Sequence, residues 1–596
     1  MSRVADQVIS ELVNLGVNHF FIVVGGNAMY LDDAIRLNGI PYTAFHNEQA
    51  AAMAAEAYAR VKGEIAACVV TSGPGATNLV TGVAGAFLDS APVFYIAGQA
   101  KSTETVTQEM KPGVRQFGTF ELPVLDILKP IIKMGKVLAA QDNVAETMRT
   151  MAQVALAGRP GPVYLEIPLD IQGSKSVTEE KQEHILMHKV MKVDESQEFI
   201  ESLHFALNSS LRPLILAGHG VRAGGGQILL SRLVEAWNIP IVTTQLAKDL
   251  FPYLDGHFIG HVGLRGDRAG NLAVFESDLL ICIGTSLQQQ TIGYDASVFA
   301  PNSKKFIVDF ENSISKKGLP FEIEHSVNAD AVDILSKLLN RSNSNSQNSD
   351  RFENWRALNI GRKHTLAVSL EAHDLTTPEI NMYEFINLLS VASDQQDVIV
   401  TDAGLCFYIM GQAFLLKEEQ RYIVSGGLGA MGYALPASIG AIAAGIKRAI
   451  CVTGDGSAQM NVHEFGTLSS QNGNAIIFVI NNGGYASIRN TQRSFFSASL
   501  IGASRDSGVL MPIWEKVAEA YGLKFMKIEG RTNLQNNINL ALTVNSPILV
   551  EVVCQYSQGL MPSVSSFKLD DGTLKSNPLH IMSPNIDSTE LTVELN

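Results

Sequence analysis

The chain has 596 residues, 46% of them hydrophobic and only 17% charged, with 50 glycines and a formal net charge of −14. That length exceeds what one hydrophobic core organises and points to about three or four domains, and the composition is that of a folded α/β protein rather than a disordered chain. The acidic balance, with no long Lys/Arg run, excludes nucleic acid and anionic membrane surfaces as expected partners and leaves small molecules.

In chain order, "MSRVADQVISELVNLGV" reads as an amphipathic helix with charges spread along it, unlike a signal peptide, and no apolar run is long enough to span a bilayer. A cytoplasmic location is the expectation. Residues 1 to about 180 alternate apolar strands ("HFFIVVGG", "AACVVTSGPG", "APVFYIAGQ", "GPVYLEIPLD") with amphipathic helices, the rhythm of a parallel α/β domain. Within them, "YTAFHNEQAAAMAAEAYARVKG" (42–63) takes a strand into an alanine-rich helix. Asn47 suits the N-cap, and Glu48, as first helical residue, meets the positive end of the helix dipole. The same junction would also hold a carboxylate rigidly enough for proton transfer.

The rhythm restarts over 185–340 with "RPLILAGHG", "IPIVTTQ", "DLLICIGTS" and "KKFIVDF". His219, His257 and His261 lie here at irregular spacing without a thiol or carboxylate cluster, and read as core or surface histidines rather than metal ligands. The polar run "NRSNSNSQNSD" opens an expected linker over 341–369. A third α/β block follows over 370–560, then a tail (561–596) poor in regular pattern. The five cysteines (68, 282, 406, 451, 554) are scattered through apolar runs and read as reduced core thiols.

The third block carries the chemistry. "GGLGAMG" holds a G-x-G-x-x-G (Gly427, Gly429, Gly432) with Asp455 at the end of the next strand, a dinucleotide-like pattern. Yet Asp455 sits in "GDGS" and the following strand ends in "NNGGY". Ends of neighbouring parallel strands share one edge of a sheet, so Asp455 and Asn482 are expected to face one pocket. An Asp carboxylate, an Asn amide oxygen and a loop carbonyl, that of Gly484, form a hard oxygen set suited to Mg²⁺. Gly454 and Gly456 let backbone N–H groups approach a phosphate, and the helix opening near Ser457 points its positive end at it.

"GDGSAQMNVHEFGTLSSQNGNAIIFVINNGGY" resembles the thiamine-diphosphate motif, and "HNEQAAAMAAEAYAR", "TSGPGATN", "AGRPGPVYLEIPLD" and "GGLGAMGYALPASIGA" resemble the acetolactate-synthase branch of the pyruvate-oxidase-like enzymes. The resemblance runs to about residue 560. It implies three α/β domains with parallel sheets in the order pyrimidine-binding, central and pyrophosphate-binding, and a site shared between two copies in a homodimer or homotetramer. It further implies thiamine diphosphate and Mg²⁺ as cofactors. Glu48 would hydrogen-bond N1′ of the aminopyrimidine as the catalytic group. Met431 would wedge the cofactor, with the Gly429 carbonyl accepting from its 4′-nitrogen. Pro74 and Asn78 would line the pyrimidine pocket, and Ala403, Gly404, Leu405 and Cys406, with Tyr485 and Ala486, would meet the diphosphate end.

Two places depart from the resemblance. Where acetolactate synthases carry two arginines and an acidic pair that help bind flavin and a second keto acid, "LLICIGTSLQQQTIGY" has Ser286, Gln288, Gln289 and Gln290, although Asp309 keeps the strand-end acid. This leaves FAD open and favours an uncharged acceptor, since a carboxylate is usually gripped by arginine. Phe120 stands where relatives have Gln. Residues 263–287 and 481–496 resemble carboligases of bacterial sugar metabolism, which implies a keto-sugar acceptor. The expected activity is therefore decarboxylation of pyruvate with transfer of the acyl unit to a ketone or aldehyde. The alternatives are acetolactate synthesis proper and simple 2-keto-acid decarboxylation. Arg265 and Arg489 are the basic residues that would restore carboxylate binding.

Overall fold

The computed structural model describes residues 2–106, 113–176, 195–310, 314–344, 349–496, 499–568, 570–571 and 574–586. Three six-stranded parallel sheets follow one another along the chain. The first contains β1 (Phe20–Ile22), β2 (Tyr42–Ala44), β3 (Ala66–Val70), β4 (Val93–Gln99), β5 (Met134–Val137) and β6 (Val163–Pro168), in the order β2-β1-β3-β4-β6-β5. The second contains β7 (Pro213–Ala217), β8 (Ile241–Thr243), β9 (Phe258–His261), β10 (Leu279–Ile283), β11 (Lys304–Asp309) and β12 (His325–Asn328), in the order β12-β11-β10-β7-β8-β9. The third contains β13 (Asp397–Thr401), β14 (Arg421–Val424), β15 (Arg448–Gly454), β16 (Ala475–Asn481), β17 (Lys524–Glu529) and β18 (Ile548–Val553), in the order β14-β13-β15-β16-β18-β17. Central strands such as β3 and β10 are buried along their whole length, which is why they read as unbroken apolar runs.

The first and third sheets share one strand order, so the chain turns back on itself at the same place in each. Such sheets bind ligands outside the carboxyl ends of the strands where the winding reverses. In the first sheet the reversal lies between β1 and β3, whose following loops hold Gly25–Asn27 and Thr71–Asn78. In the third it lies between β13 and β15, followed by Asp402–Gly404 and by Gly454–Ser457. In the second it lies between β7 and β10, followed by Gly218–Gly220 and Gly284–Ser286.

The alanine-rich helix Glu48–Lys62 explains its composition by what it touches. A Cβ on Gly440 of the helix Ala434–Ala443 would stand 2.1 Å from the Ala54 carbonyl oxygen, and one on Gly82 would stand 2.4 Å from the Ala52 Cβ. Larger side chains would drive these helices apart. One apolar core therefore runs from the first domain into the third through Ala50–Ala59 and Tyr433–Ala441.

Two expectations are corrected. The expected linker contains a helix, Glu353–Thr365, whose Trp355 is buried and donates from Nε1 to the Pro213 carbonyl at 2.9 Å, while Lys363 donates to the carbonyl of Phe258 at 2.7 Å. The helix looks polar in sequence because two of its cations, Arg356 and Lys363, donate to backbone carbonyls of the central domain. The tail is also built: Ser563–Val564 pairs antiparallel with Met582–Ser583, and Val564, Leu579 and Met582 join the core of the central domain. The expected boundary near 180–185 lies outside the described residues. Among the described residues no helix is long and apolar enough to cross a membrane, and all five cysteines are buried and unpaired in disulfides.

Candidate functional site

Glu48 opens its helix, and the Asn47 side chain accepts from the Gln49 N–H at 2.8 Å as N-cap. Capping is thus done by Asn47, and the Glu48 carboxylate is left for other work. Asn78 Nδ2 donates to Glu48 Oε2 at 2.8 Å, and a Cβ on Gly75 would stand 3.4 Å from Glu48 Oε1. The short helix Pro74–Thr77 thus brings Pro74, Asn78 and Glu48 together at the β1/β3 reversal. Glu48 is half-buried rather than enclosed. Phe120, with φ of 59°, lies against this turn, since a Cβ on Gly73 would meet its carbonyl oxygen at 2.7 Å, and its side chain is 68% exposed.

The segment ahead of Glu48 is pinned by a residue the sequence did not single out. Glu464, buried in the third domain, accepts from the His46 N–H at 3.2 Å, the Asn47 N–H at 3.0 Å and the Thr467 hydroxyl at 2.5 Å. Burial pushes its carboxyl upward, and the Thr467 bond and the nearby His463 and His46 oppose it.

At the β13/β15 reversal, Asp455 is buried with its carboxylate held by backbone alone: Oδ1 accepts from the Gly456 N–H at 2.7 Å and Oδ2 from the Gly484 N–H at 2.8 Å. Burial pushes it up to about 6 against these bonds and the nearby Arg489 charge, and it makes no salt bridge among the described residues. A buried carboxylate held directly by backbone donors alone, and bonded to the loop that carries Asn482 and Gly484, has the chemistry of a hard-cation ligand. The Asn482 amide makes no hydrogen bond among the described residues, so its oxygen is available. The Gly484 carbonyl accepts from the Ala486 N–H at 2.9 Å and retains a second lone pair.

The glycines of the two motifs are set by close approach. A Cβ on Gly456 would enter the Tyr485 ring at 2.3 Å, and Gly484, with φ of 119°, stands against the Ala503 carbonyl. Gly454 ends β15 and caps Asp455–Ala458. Ala403 caps the helix Gly404–Ala413, whose first N–H groups have no helical acceptor and are suited to taking an anion. The side chains of Leu405 and Cys406 are buried in the core, so these two residues offer only backbone. Ser457 is likewise committed: its hydroxyl donates to Asp402 Oδ2 at 2.5 Å and accepts from the Gly432 N–H at 2.8 Å. Asp402, which the sequence reading passed over, also accepts from the Thr453 hydroxyl at 2.8 Å and so ties β13 to β15.

Gly429, with φ of 66°, and Met431 stand on a loop fixed on both sides. The Gly429 N–H donates to the Ser425 carbonyl at 2.9 Å and the Ala430 N–H to the Ser425 hydroxyl at 3.0 Å, while Asn461 Nδ2 holds the Gly432 carbonyl at 2.8 Å. Met431 projects between these anchors and is 41% exposed.

Arg489 is fully buried, stacks 4.0 Å from the Tyr556 ring centroid, and donates to the carbonyls of Asn482 at 2.7 Å, Tyr556 at 3.0 Å, Gly483 at 3.2 Å and Ala503 at 3.3 Å. It braces the Asn482–Gly484 loop. Arg265 instead lines a cleft of about 230 Å³ at the β7/β10 reversal, together with Ser286, Gln288, Gln290, His219 and Asp309. A Cβ on Gly218 would stand 2.2 Å from the Gly284 carbonyl, so the two strand ends meet backbone to backbone. Burial pushes the His219 imidazole down to about 3, and its Nδ1 has no partner. His261 bonds Asp267 at 3.0 Å and His257 lies 3.6 Å from Asp255. Among the described residues no cluster of three His, Cys, Asp or Glu is placed to hold a metal.

Three family models match in the order of the sheets. These are the N-terminal TPP binding domain of the thiamine pyrophosphate enzymes over residues 2–118, their central domain over 200–338 and their C-terminal TPP binding domain over 402–552. A probable acetolactate synthase large subunit of Methanocaldococcus jannaschii is 30% identical over 571 residues, covering 93% of this chain and 92% of that one. The acetolactate synthase large subunit of Lactococcus lactis is 29% identical over 560 residues, covering 94% and 93%, and that of Pyropia yezoensis is 27% identical over 595, covering 95% and 94%.

Proposed function

The chain belongs to the thiamine pyrophosphate enzymes and is acetolactate synthase-like, and from that premise we propose that it decarboxylates pyruvate and joins the remaining acyl unit to a second carbonyl compound. One observation carries the reading: Asp455, buried and without a salt bridge among the described residues, is bonded to the loop that offers Asn482 and Gly484. Those three residues would hold Mg²⁺, and the N–H groups at Gly404–Cys406 and Gly456–Ser457 would take the diphosphate.

Bound there, thiamine diphosphate supplies a carbon nucleophile for the keto group and a sink for the electron pair released with CO₂. Glu48 would carry the proton exchanged at the pyrimidine N1′, and Asn78 holds its carboxylate in place. Met431 and the Gly429 carbonyl would support the ring from the other domain. Met431 and Glu48 are both partly open to solvent in the single chain, and a second copy of this chain is the cover we assign to them.

The residues of the cleft bear on the acceptor. Ser286, Gln288 and Gln290 offer amides and hydroxyls, and Arg489 is engaged elsewhere, which supports an uncharged ketone or aldehyde, a keto sugar among them. The second reading, acetolactate from two pyruvates, is favoured by Arg265 in the same cleft and by the names of the relatives. The inner cleft, with its paired strand ends, Asp309 and unpartnered His219, also fits the flavin nucleotide of the family, which a titration with FAD followed by fluorescence tests. The activity is tested by CO₂ release from pyruvate: release that needs both thiamine diphosphate and Mg²⁺ supports the proposal, and none under any such condition overturns it.

A further inference from the structure

A buried charged cluster joins the first domain to the foot of the Met431 loop. Asp89 ends the helix Val80–Leu88 and is 2% exposed. Its Oδ1 accepts from the Gly427 N–H at 2.7 Å, and its Oδ2 accepts from the Gly426 N–H at 3.0 Å and from Arg60 Nη1 at 3.4 Å. The same Arg60 nitrogen donates to Glu56 Oε1 at 2.9 Å and to the Val424 carbonyl at 2.8 Å, and the Tyr433 hydroxyl donates to Glu56 Oε2. Both feet of the loop, at 424–427 and at Tyr433, therefore stand on Glu56, Arg60 and Asp89. The fit is close: a Cβ on Gly427 would lie 2.6 Å from the Leu88 Cβ and 2.8 Å from Asp89 Oδ1.

The apex between these feet is held by backbone bonds at Gly429, Ala430 and Gly432, with little side-chain packing around it. Four of the nine residues from Ser425 to Tyr433 are glycine, a Cβ on Gly429 would meet nothing within 4 Å, and Met431 is half-open to solvent. A glycine-rich loop loses much backbone freedom when ordered, and whatever orders it beforehand lowers the cost of binding. We propose that Asp89, steadied by Arg60, is a positioning residue that preorganises the Gly429–Met431 apex for the cofactor from across the domain boundary. The proposal rests on the reading of that apex as a cofactor support.

Asp89→Asn keeps the shape and sets an NH₂ group against one of the two N–H donors. In cofactor-free protein, amide hydrogen exchange in a peptide spanning 424–433 should speed up while peptides from β13 and β15 stay unchanged. The dissociation constant for thiamine diphosphate with Mg²⁺, read by fluorescence titration, should rise about tenfold or more. Met431→Ala should also weaken binding, and Asp89→Asn added to it should cost no more than twofold further, because both act through one loop. If Met431→Ala weakens the cofactor but Asp89→Asn leaves it within twofold of wild type, the Asp89 proposal falls while the apex reading stands. If Met431→Ala itself binds normally, the apex reading falls. Should Asp89→Asn fail to fold, Arg60→Lys carries the same exchange and titration readouts, since it keeps the charge but replaces the guanidinium nitrogen that reaches Glu56, Asp89 and Val424 together; unchanged values there overturn the proposal equally.

Discussion

The side-chain amide of Asn78 donates to the carboxylate of Glu48 at 2.8 Å, joining two loops 30 residues apart in the chain at the point where the first sheet reverses its winding. A capping role alone does not require this bond, because Asn47 already caps the helix. Glu48→Gln keeps the bond geometry and removes the exchangeable carboxyl proton. Its melting temperature should stay near wild type, and deuterium exchange at thiazolium C2 of bound cofactor should slow by about 10²- to 10⁴-fold. NMR of quenched samples measures it, and an exchange rate near wild type would refute the role given to Glu48.

Asp455 has two backbone donors and no salt bridge among the described residues, and on the proposed reading a metal ion meets its charge directly. Removing Mg²⁺ with EDTA should release thiamine diphosphate. Asp455→Ala should weaken cofactor binding beyond the roughly 10- to 100-fold typical of groups that merely support a metal ligand. Calorimetric titration with and without Mg²⁺ decides the matter, and an affinity unchanged in the variant would contradict the metal assignment.

Arg489 braces the Asn482–Gly484 loop through four carbonyls and a stacked ring. Arg489→Met keeps much of the apolar stem but abandons all four acceptors in a buried place, a loss of about 3 kcal/mol or more. The expected result is a lower melting temperature together with a raised Mg²⁺ requirement. A variant as stable as wild type with unchanged Mg²⁺ dependence would show that the loop stands without it.

The parts of this molecule legible in its sequence are those governed by local rules. The three α/β blocks show as strand and helix rhythms, Asn47 as a cap, and "GDG" with "NNGGY" as strand ends that must share an edge. Asp89, Asp402, Glu464 and the bracing role of Arg489 were not legible, because their partners are set by tertiary approach: Glu464 meets Asn47 across 417 residues and Asp89 meets Gly427 across 338. The helix Glu353–Thr365 escaped for a different reason. Its lysine and arginines look like a solvated face until Lys363 is found donating to buried carbonyls.

Asp32 lies behind the Gly25–Gly26 turn with one buried oxygen unpartnered and the other accepting only from the Gly25 N–H at 3.5 Å. Burial pushes its carboxyl up to about 6, above the ordinary 3.8. A carboxyl raised on folding binds more protons in the folded than in the unfolded state between those two values, so its contribution to stability falls as pH rises through them. At pH 7.5 the buried charge then costs about 1–2 kcal/mol after screening by solvent. Asp32→Asn should melt higher than wild type at pH 7.5 and lose that advantage near pH 4. Calorimetric scans at both values test it, and a variant less stable at both would show that the charge is satisfied.

The acceptor is where the arginines matter. Arg489 is committed to the Asn482–Gly484 loop, whereas Arg265 stands in the central cleft with Nη1 donating to the Val564 carbonyl at 3.2 Å and its guanidinium 5.8 Å from the Tyr408 ring centroid. Ser286, Gln288 and Gln290 line the same cleft, and Lys317 donates to the Ser286 carbonyl. Arg265 and Arg159 are the arginines that line the cleft among the described residues, and each already donates to a backbone carbonyl, so pyruvate should serve well as donor and poorly as acceptor, while uncharged ketones, aldehydes or keto sugars raise turnover. Incubation with pyruvate alone and then with such a panel, with products identified by mass and NMR, separates the cases. Efficient acetolactate formation from pyruvate alone would overturn the uncharged acceptor. In that case Arg265→Gln should raise the apparent KM for pyruvate at the acceptor step by on the order of tenfold or more, the loss expected when a charge-assisted bond is removed from a partly buried site.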